Sequence, residues 1–255
     1  MRVLTLDIET SPNIADVWGL WNNNVGLSQL RQSQRVICFA AKWLGKSSVE
    51  FWSEYEHGHD AMVLAAHRLI SEADVVVHYN GNRFDIPHLQ SEFVRAQLAP
   101  PSPHKNVDLL RTVRRQFKFP SNKLDYVASE LLGDRKVAHE GHLLWTKCLM
   151  VPETPDEEKV KAAAWVRMRK YNIHDVKLTE RLYKRLLPWI AGHPHVGLYG
   201  DTTEAVCGNC GSTDLRRQGY AYTSLGKFIQ RQCKSCGKWS RDKKAIASVD
   251  VRPAA

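Results

Sequence analysis

Apolar and polar residues alternate from Met1 to Ile8, so the chain opens on a β-strand. Arg35 to Trp43 (RVICFAAKW) and Val49 to Trp52 predict two further strands, joined as a hairpin through Leu44-Gly45-Lys46-Ser47. The apolar spacing becomes helical over Asp60 to Ser71, with Asp60 placed to cap the helix start. Asp74 to Tyr79 (DVVVHY) is a short β-branched run suited to a strand buried on both faces. It empties into the loop Asn80-Gly81-Asn82, followed by a helix from about Asp85 to Gln97 and a short strand over Val107 to Leu109. From there to Ile190 the pattern is mostly helical. The longest helix, Asp156 to Leu187, carries acids at its start and Lys and Arg toward its end, as the helix dipole favours. Strands first, then a strand–helix–strand crossover and a helical tail, predict an α/β domain with a mixed sheet.

The pattern changes after Pro188. Gly192 to Gly200 (GHPHVGLYG) is rich in Gly, Pro and His and reads as a linker, which divides the chain into a domain over 1–191, a linker over 192–200 and a small domain over 201–255. That last part holds ten Lys and Arg against five Asp and Glu, over half of the chain's net charge of +9. A balance this basic favours a polyanionic partner, of which nucleic acid is the commonest. No run reaches the length of a membrane span and the N-terminus lacks the apolar core of a signal peptide, so a soluble, cytoplasmic protein is expected.

Three fragments carry candidate chemistry. Asp7 and Glu9 lie two apart on the first strand, so their carboxylates share one face while Leu4, Leu6 and Ile8 fill the other. An exposed edge strand would explain them; so would a cation held at the C-terminal end of a central strand, where open α/β sheets bind ligands. Asp85, in HYNGNRFDIP, either caps its helix or stands at that same sheet end. Tyr171 and Asp175 are four apart on the long helix and share a face, which fits a joint role or a buried tyrosine beside a solvated acid. His139-Glu140-Gly141-His142 lacks the spacing of a zinc protease and reads as surface histidines. Cys38 and Cys148 stand alone in apolar surroundings and read as core. Cys207-Gly-Asn-Cys210 and Cys233-Lys-Ser-Cys236 are two Cys-x-x-Cys pairs with 22 residues between them; in a reducing compartment they fit one Zn²⁺ held by four thiolates better than two disulfides or four free thiols.

Asp-x-Glu on a first strand, Asn-x-x-x-Phe-Asp after a later one and Tyr-x-x-x-Asp on a late helix together resemble the 3′–5′ exonucleases of the RNase H-like superfamily. The words LDIETSP, HYNGNRFDIP and YNIHDVKLTERLY are closest to the branch with four acids and a tyrosine. That branch includes the proofreading domains of family B DNA polymerases and compact bacterial and phage exonuclease-like proteins. Lys170 stands where the histidine branch has its histidine, five residues before the last acid. The resemblance implies a mixed five-stranded sheet flanked by helices, followed here by a zinc ribbon. It also implies Asp7, Glu9, Asp85 and Asp175 as ligands of two Mg²⁺ or Mn²⁺ ions about 4 Å apart, with Tyr171 orienting the nucleophilic water. Thr10, Asn80 and Phe84 would meet the 3′-terminal nucleotide. His174, beside Asp175, points to another helix face and takes no role.

In the ribbon, Arg216, Arg217, Lys227 and Arg231 interleave with aromatics such as Tyr220 and Trp239, a pattern suited to single-stranded nucleic acid or else to docking another protein. The leading expectation is a 3′–5′ exonuclease acting on single-stranded DNA, with RNA as the other substrate and proofreading dependent on a separate replication or repair protein. An endonuclease or ribonuclease of the same fold, or a binding module that does not cleave, are the alternatives.

Overall fold

The computed structural model describes residues 1–137, 140–201 and 204–251, leaving His139 of the His139–His142 stretch outside; His142 is exposed. Strands β1 (Val3–Thr10), β2 (Ile14–Ala15), β3 (Leu30–Gln32), β4 (Val36–Trp43) and β5 (Glu50–Ser53) come first. Helices α1 (Glu54–His57) and α2 (His59–Ser71), strand β6 (Val75–His78), helix α3 (Asp85–Arg95) and strand β7 (Lys105–Asp108) follow. Helices α4 (Leu109–Gln116), α5 (Leu124–Leu132), α6 (His142–Leu149) and α7 (Pro155–Leu186) precede the strands β8 (Leu215–Tyr222), β9 (Gly226–Cys233) and β10 (Trp239–Ser248). Two units divide the chain: one holds residues 2–111 and 119–182, the other residue 1, 112–118 and 183–255. Among the described residues no helix is long and apolar enough to cross a membrane.

The first unit is built on a five-stranded sheet of order β5-β4-β1-β6-β7, in which β1 runs antiparallel to β4 and parallel to β6. β1 is therefore the central strand. Alternation along it decides what each face carries: Leu4, Leu6 and Ile8 join Phe39 and Val76 in a core closed by Met62, Ala66 and Leu69 of α2 and Leu89 and Phe93 of α3. On the opposite face Ile37, Cys38 and Ala40 of β4 pack against Leu144 and Cys148 of α6 and Trp165, Met168 and Tyr171 of α7. With helices over both faces, β4 reads as an unbroken apolar run, and Cys38 and Cys148 are buried in the core. The Trp165 indole donates to the Cys148 carbonyl (3.0 Å) and ties the two covering helices together.

Asp60 does not cap α2. Gly58 holds that position with φ +81°, because the chain must reverse sharply out of α1, and Asp60 sits in the first helical turn. The second unit holds the antiparallel sheet β10-β9-β8. Its strands are exposed or half-buried nearly throughout, which leaves them no apolar core of their own.

Candidate metal centres

β1 carries Asp7 and Glu9 to the end of the sheet on the face opposite its leucines, opposite Ala40 and Cys38 of β4. One residue later the ladder slips, Thr10 pairing with Val36. A bulge at this point bends the chain away just beyond the acids. From α7, Asp175 arrives on the same side: one carboxylate oxygen each from Asp7, Glu9 and Asp175 lie within 4.8 Å of one another. Asp85 opens α3 but caps nothing. β6 pairs with β1 only through Val3–Thr5, and beyond that pairing the Ile8 amide donates to Asp85 Oδ1 (3.1 Å). The fourth acid is thus fastened between Asp7 and Glu9 along the strand. Tyr171, one turn before Asp175 on α7, is buried, and its hydroxyl accepts from Lys136 Nζ (2.8 Å).

Burial and mutual repulsion disfavour so many negative charges in one place. Burial, then Asp85, Glu9 and Asp175, hold the Asp7 carboxyl well above the usual range. Burial lifts Glu9 to about 8, against the pull of Lys136, and lifts Asp85 to about 7, against the Ile8 amide. Asp175 is raised by burial despite its ion pair with Lys136. Among the described residues its Oδ1 is buried without a hydrogen-bond donor. An orphaned carboxylate oxygen beside two more acids fits a hard cation, which prefers oxygen ligands. A proton held folded and released unfolded makes stability fall as pH rises, here from about 4, the ordinary carboxylate value, through the Glu9 value of about 8. Denaturant titrations of the protein without added divalent ion should show that decline. Mn²⁺ should reverse it, raising Tm at pH 8 by about 5–10 °C at saturating concentration.

The four paired cysteines form a second centre. Their sulfurs all lie within 4.8 Å of one another. The Cys207–Cys236 and Cys210–Cys233 contacts are 3.6 Å, too long for a disulfide. A tetrahedron of thiolates at the usual Zn–S length has edges of about 3.8 Å, so the cluster fits a zinc ribbon. Each pair is a knuckle of the same make. The Gly211 amide donates to Cys207 O (2.8 Å) and the Gly237 amide to Cys233 O (2.9 Å). Both glycines have φ near +80° (+77° and +83°), the left-handed conformation that closes such a turn. Burial opposes the Cys233 thiolate, but the Cys236 amide, the Cys210 thiol and the Ser235 amide outweigh it and bring the thiol to about 7. Asn209, between the first pair, donates to Leu187 O (2.7 Å), and Lys238 Nζ donates to Ile190 O (3.0 Å).

A sheet with acids at the end of its central strand, covered by helices on both faces, can be set against known proteins. The model of the RNase H superfamily matches residues 24–187. The chain belongs to the RNase H superfamily. Asp85, Tyr171 and Asp175 fall inside the matched region, while Asp7 and Glu9 precede it. Among solved structures, the fold is similar to that of the family B DNA polymerase from the hyperthermophilic archaeon Pyrobaculum calidifontis, with TM-score 0.53 and 20% identity. The likeness covers 73% of this chain and 24% of the polymerase, so the chain spans about a quarter of that protein's length. No curated protein matches the sequence. Membership of that superfamily supports nuclease activity, and with it a nucleic-acid substrate.

Several residues of this RNase H-like site escape a motif reading. Lys136 comes from the loop after α5, pairs with Asp175 and donates to Tyr171, so an ammonium lies among the acids. Those acids in turn hold its pKa above the ordinary lysine value despite burial. Asn172 donates from Nδ2 to Asp7 Oδ2 (2.7 Å) and to Asp7 O (3.2 Å), fixing the carboxylate's direction. The loop that delivers Asp85 is braced from behind by Asp108, which accepts from the Asn80 amide (3.0 Å), and by His78, whose Nδ1 accepts from the Gly81 amide (3.0 Å). A methyl group on Gly81 would lie 2.3 Å from the His78 ring. Gly81→Ala should therefore destabilise the protein by about 2–3 kcal/mol in urea titrations, through overpacking against a buried ring.

The residues expected to meet nucleic acid are spread over both units. Thr10 is buried and its hydroxyl accepts from Gln34 Nε2 (2.6 Å). Asn80 takes φ +69° in the loop before Asp85. Phe84 packs against the leucine-side core and meets His88 edge-on. In the ribbon, Arg216 and Arg217 are exposed, Lys227 Nζ lies 4.0 Å over the Tyr220 ring, and Trp239 is exposed. Arg231 makes a two-pronged pair with Asp242 (2.6 and 3.0 Å), which occupies its fork.

Proposed function

We propose that the chain is a divalent-metal-dependent 3′–5′ exonuclease acting on single-stranded nucleic acid, DNA foremost. The observation that carries this reading is the meeting of Asp7, Glu9 and Asp175 at the end of the central strand, with Asp85 fastened to the backbone between the first two. Asp7, Glu9, Asp85 and Asp175 would hold two Mg²⁺ or Mn²⁺ ions. Bound there, the ions would supply charge stabilisation for both the attacking water and the leaving 3′ oxygen.

The chain's own side chains prepare that event. Asn172 holds Asp7 in one orientation. Burial, with Glu9 and Asp175 nearby, raises the Tyr171 hydroxyl above its ordinary pKa, so it keeps its proton. Lys136 donates to the phenol oxygen and the hydroxyl bonds Asp175, which holds it beside the acids where it can orient a water or a phosphate oxygen. The exposed cations and Trp239 of the ribbon suit a grip on the strand's backbone and bases. A replication or repair protein would direct the activity to its substrate.

Linear and circular single strands of DNA and RNA, 5′-labelled where they have an end, separate the readings in the presence of Mn²⁺. The proposal expects a ladder shortening from the 3′ end and intact circles. Cut circles would replace it with an endonuclease, and binding without any cleavage with a non-cleaving module.

A further inference from the structure

Between β1 and β4 the chain leaves the sheet as an arm. β2 and β3 pair antiparallel (Ile14 with Gln32, Ala15 with Leu30), and the ladder is closed by the Asp16 amide on Gln29 O (2.9 Å) and by Gln29 Nε2 on Asp16 O (2.9 Å). Its base is fastened to the end of β1. The Arg35 amide donates to Ser11 Oγ (3.0 Å), the Gln34 amide to Asn13 Oδ1 (2.7 Å) and the Gln34 side chain to Thr10. The arm therefore springs from the residues directly after Asp7 and Glu9.

Its tip breaks the rule that large apolar side chains are covered. Trp18 is fully exposed and Trp21 is 86% exposed, with Leu20 and Leu27 beside them in sequence and equally bare. Two bare indoles within four residues are costly to keep in water and mark a binding surface. Charge and chemistry select the occupant. From Val17 to Val49 the chain has no Asp or Glu; Arg31 lies in the return strand, 3.7 Å from Asp16, and Arg35 just after it is paired with Glu54. Asn22, Asn23 and Asn24 crowd the tip, and amides match the hydrogen-bonding edges of bases. An indole offers a flat face to any unpaired base, and a tip without carboxylates, its neighbouring Asp16 lying beside Arg31, does little to repel phosphates.

We infer that the arm is a stacking platform for unpaired bases, with Trp18 and Trp21 gripping a single strand whose end lies among the acids of β1. The inference rests on nucleic acid being the substrate of that site, and its test does not depend on cleavage. Binding of a fluorescein-labelled oligothymidylate to the full chain, zinc retained and no Mg²⁺ or Mn²⁺ added, is read by anisotropy. Stacking is worth about 1–3 kcal/mol per base, so Trp18→Ala and Trp21→Ala should each weaken binding about tenfold. Trp18→Phe and Trp21→Phe should largely retain it. Under cleaving conditions, the double alanine variant should raise KM for the oligonucleotide while kcat at saturation stays that of the parent.

Parent-like affinity and KM in the double variant would overturn the platform while leaving the nuclease intact. Tryptophan-dependent binding by a chain that never cleaves would uphold the platform and remove the nuclease. Sedimentation showing a dimer that the double variant dissolves, with oligonucleotide affinity unchanged, would give the tip to a second copy instead.

Discussion

Replacing Asp7 with asparagine should abolish strand shortening, lowering kcat by about a thousandfold or more. Each tenfold loss corresponds to about 1.4 kcal/mol at the barrier, and charge stabilisation from a bound ion is worth several. Asp7 lies on the central strand with its carboxylate within reach of Glu9 and Asp175 and oriented by Asn172. The substitution keeps the shape and removes only the charge, so the fold should survive. In the absence of divalent ions the variant should be more stable than the parent at pH 8, because one repelling carboxylate has gone. Opposite signs on activity and stability separate a lost metal ligand from a damaged core. Single-turnover cleavage of a 5′-labelled strand, with urea titration of the same preparations, measures both.

Removing the ribbon's metal should unfold the ribbon outright. Of the ribbon residues in 204–251, those buried are Cys207, Asn209 and Cys233, so β8, β9 and β10 have no apolar interior to hold them when the thiolates let go. In such a domain the free energy of metal binding is the free energy of folding, about 10 kcal/mol or more for four thiolates and zinc at neutral pH. Cys207→Ser, or chelation, should strip hydrogen-exchange protection from the amides of β8–β10 while β1 and β6 keep theirs. Release of one equivalent of zinc, followed colorimetrically, should accompany the loss. The exposed face of Arg216, Arg217 and Lys227 would go with it, and oligonucleotide affinity should become weaker and less salt-dependent.

Two periodicities made the sheet and its main helices legible. Leu4, Leu6 and Ile8 alternate because β1 is covered differently on its two faces, and that same alternation put Asp7 and Glu9 together. Spacing also placed Asp175 a turn beyond Tyr171 on α7. Convergence of the four acids came only through the family resemblance, and periodicity could not supply the residues that join them from loops. Lys136 sits in a loop between two short helices, where no period acts, and its place among the acids follows from how that loop lies against α7. Asp85 was open in sequence between a helix cap, a position acids favour, and a place at the sheet end with Asp7; its carboxylate accepts from the Ile8 amide, which is available because β6 pairs with β1 only through Val3–Thr5. The arm was missed for a related reason. Its strands are two and three residues long, too short for alternation to register.

The claim on which the rest stands is that Asp7, Glu9, Asp85 and Asp175 share divalent ions in one pocket. Mn²⁺ titration of the zinc-loaded chain by calorimetry and electron paramagnetic resonance measures this without a substrate. The account predicts two Mn²⁺ per chain with signals broadened by their proximity, and loss of at least one ion in Asp7→Asn. An Asp7→Asn variant that binds Mn²⁺ as the parent does, or a parent that binds none, would contradict it.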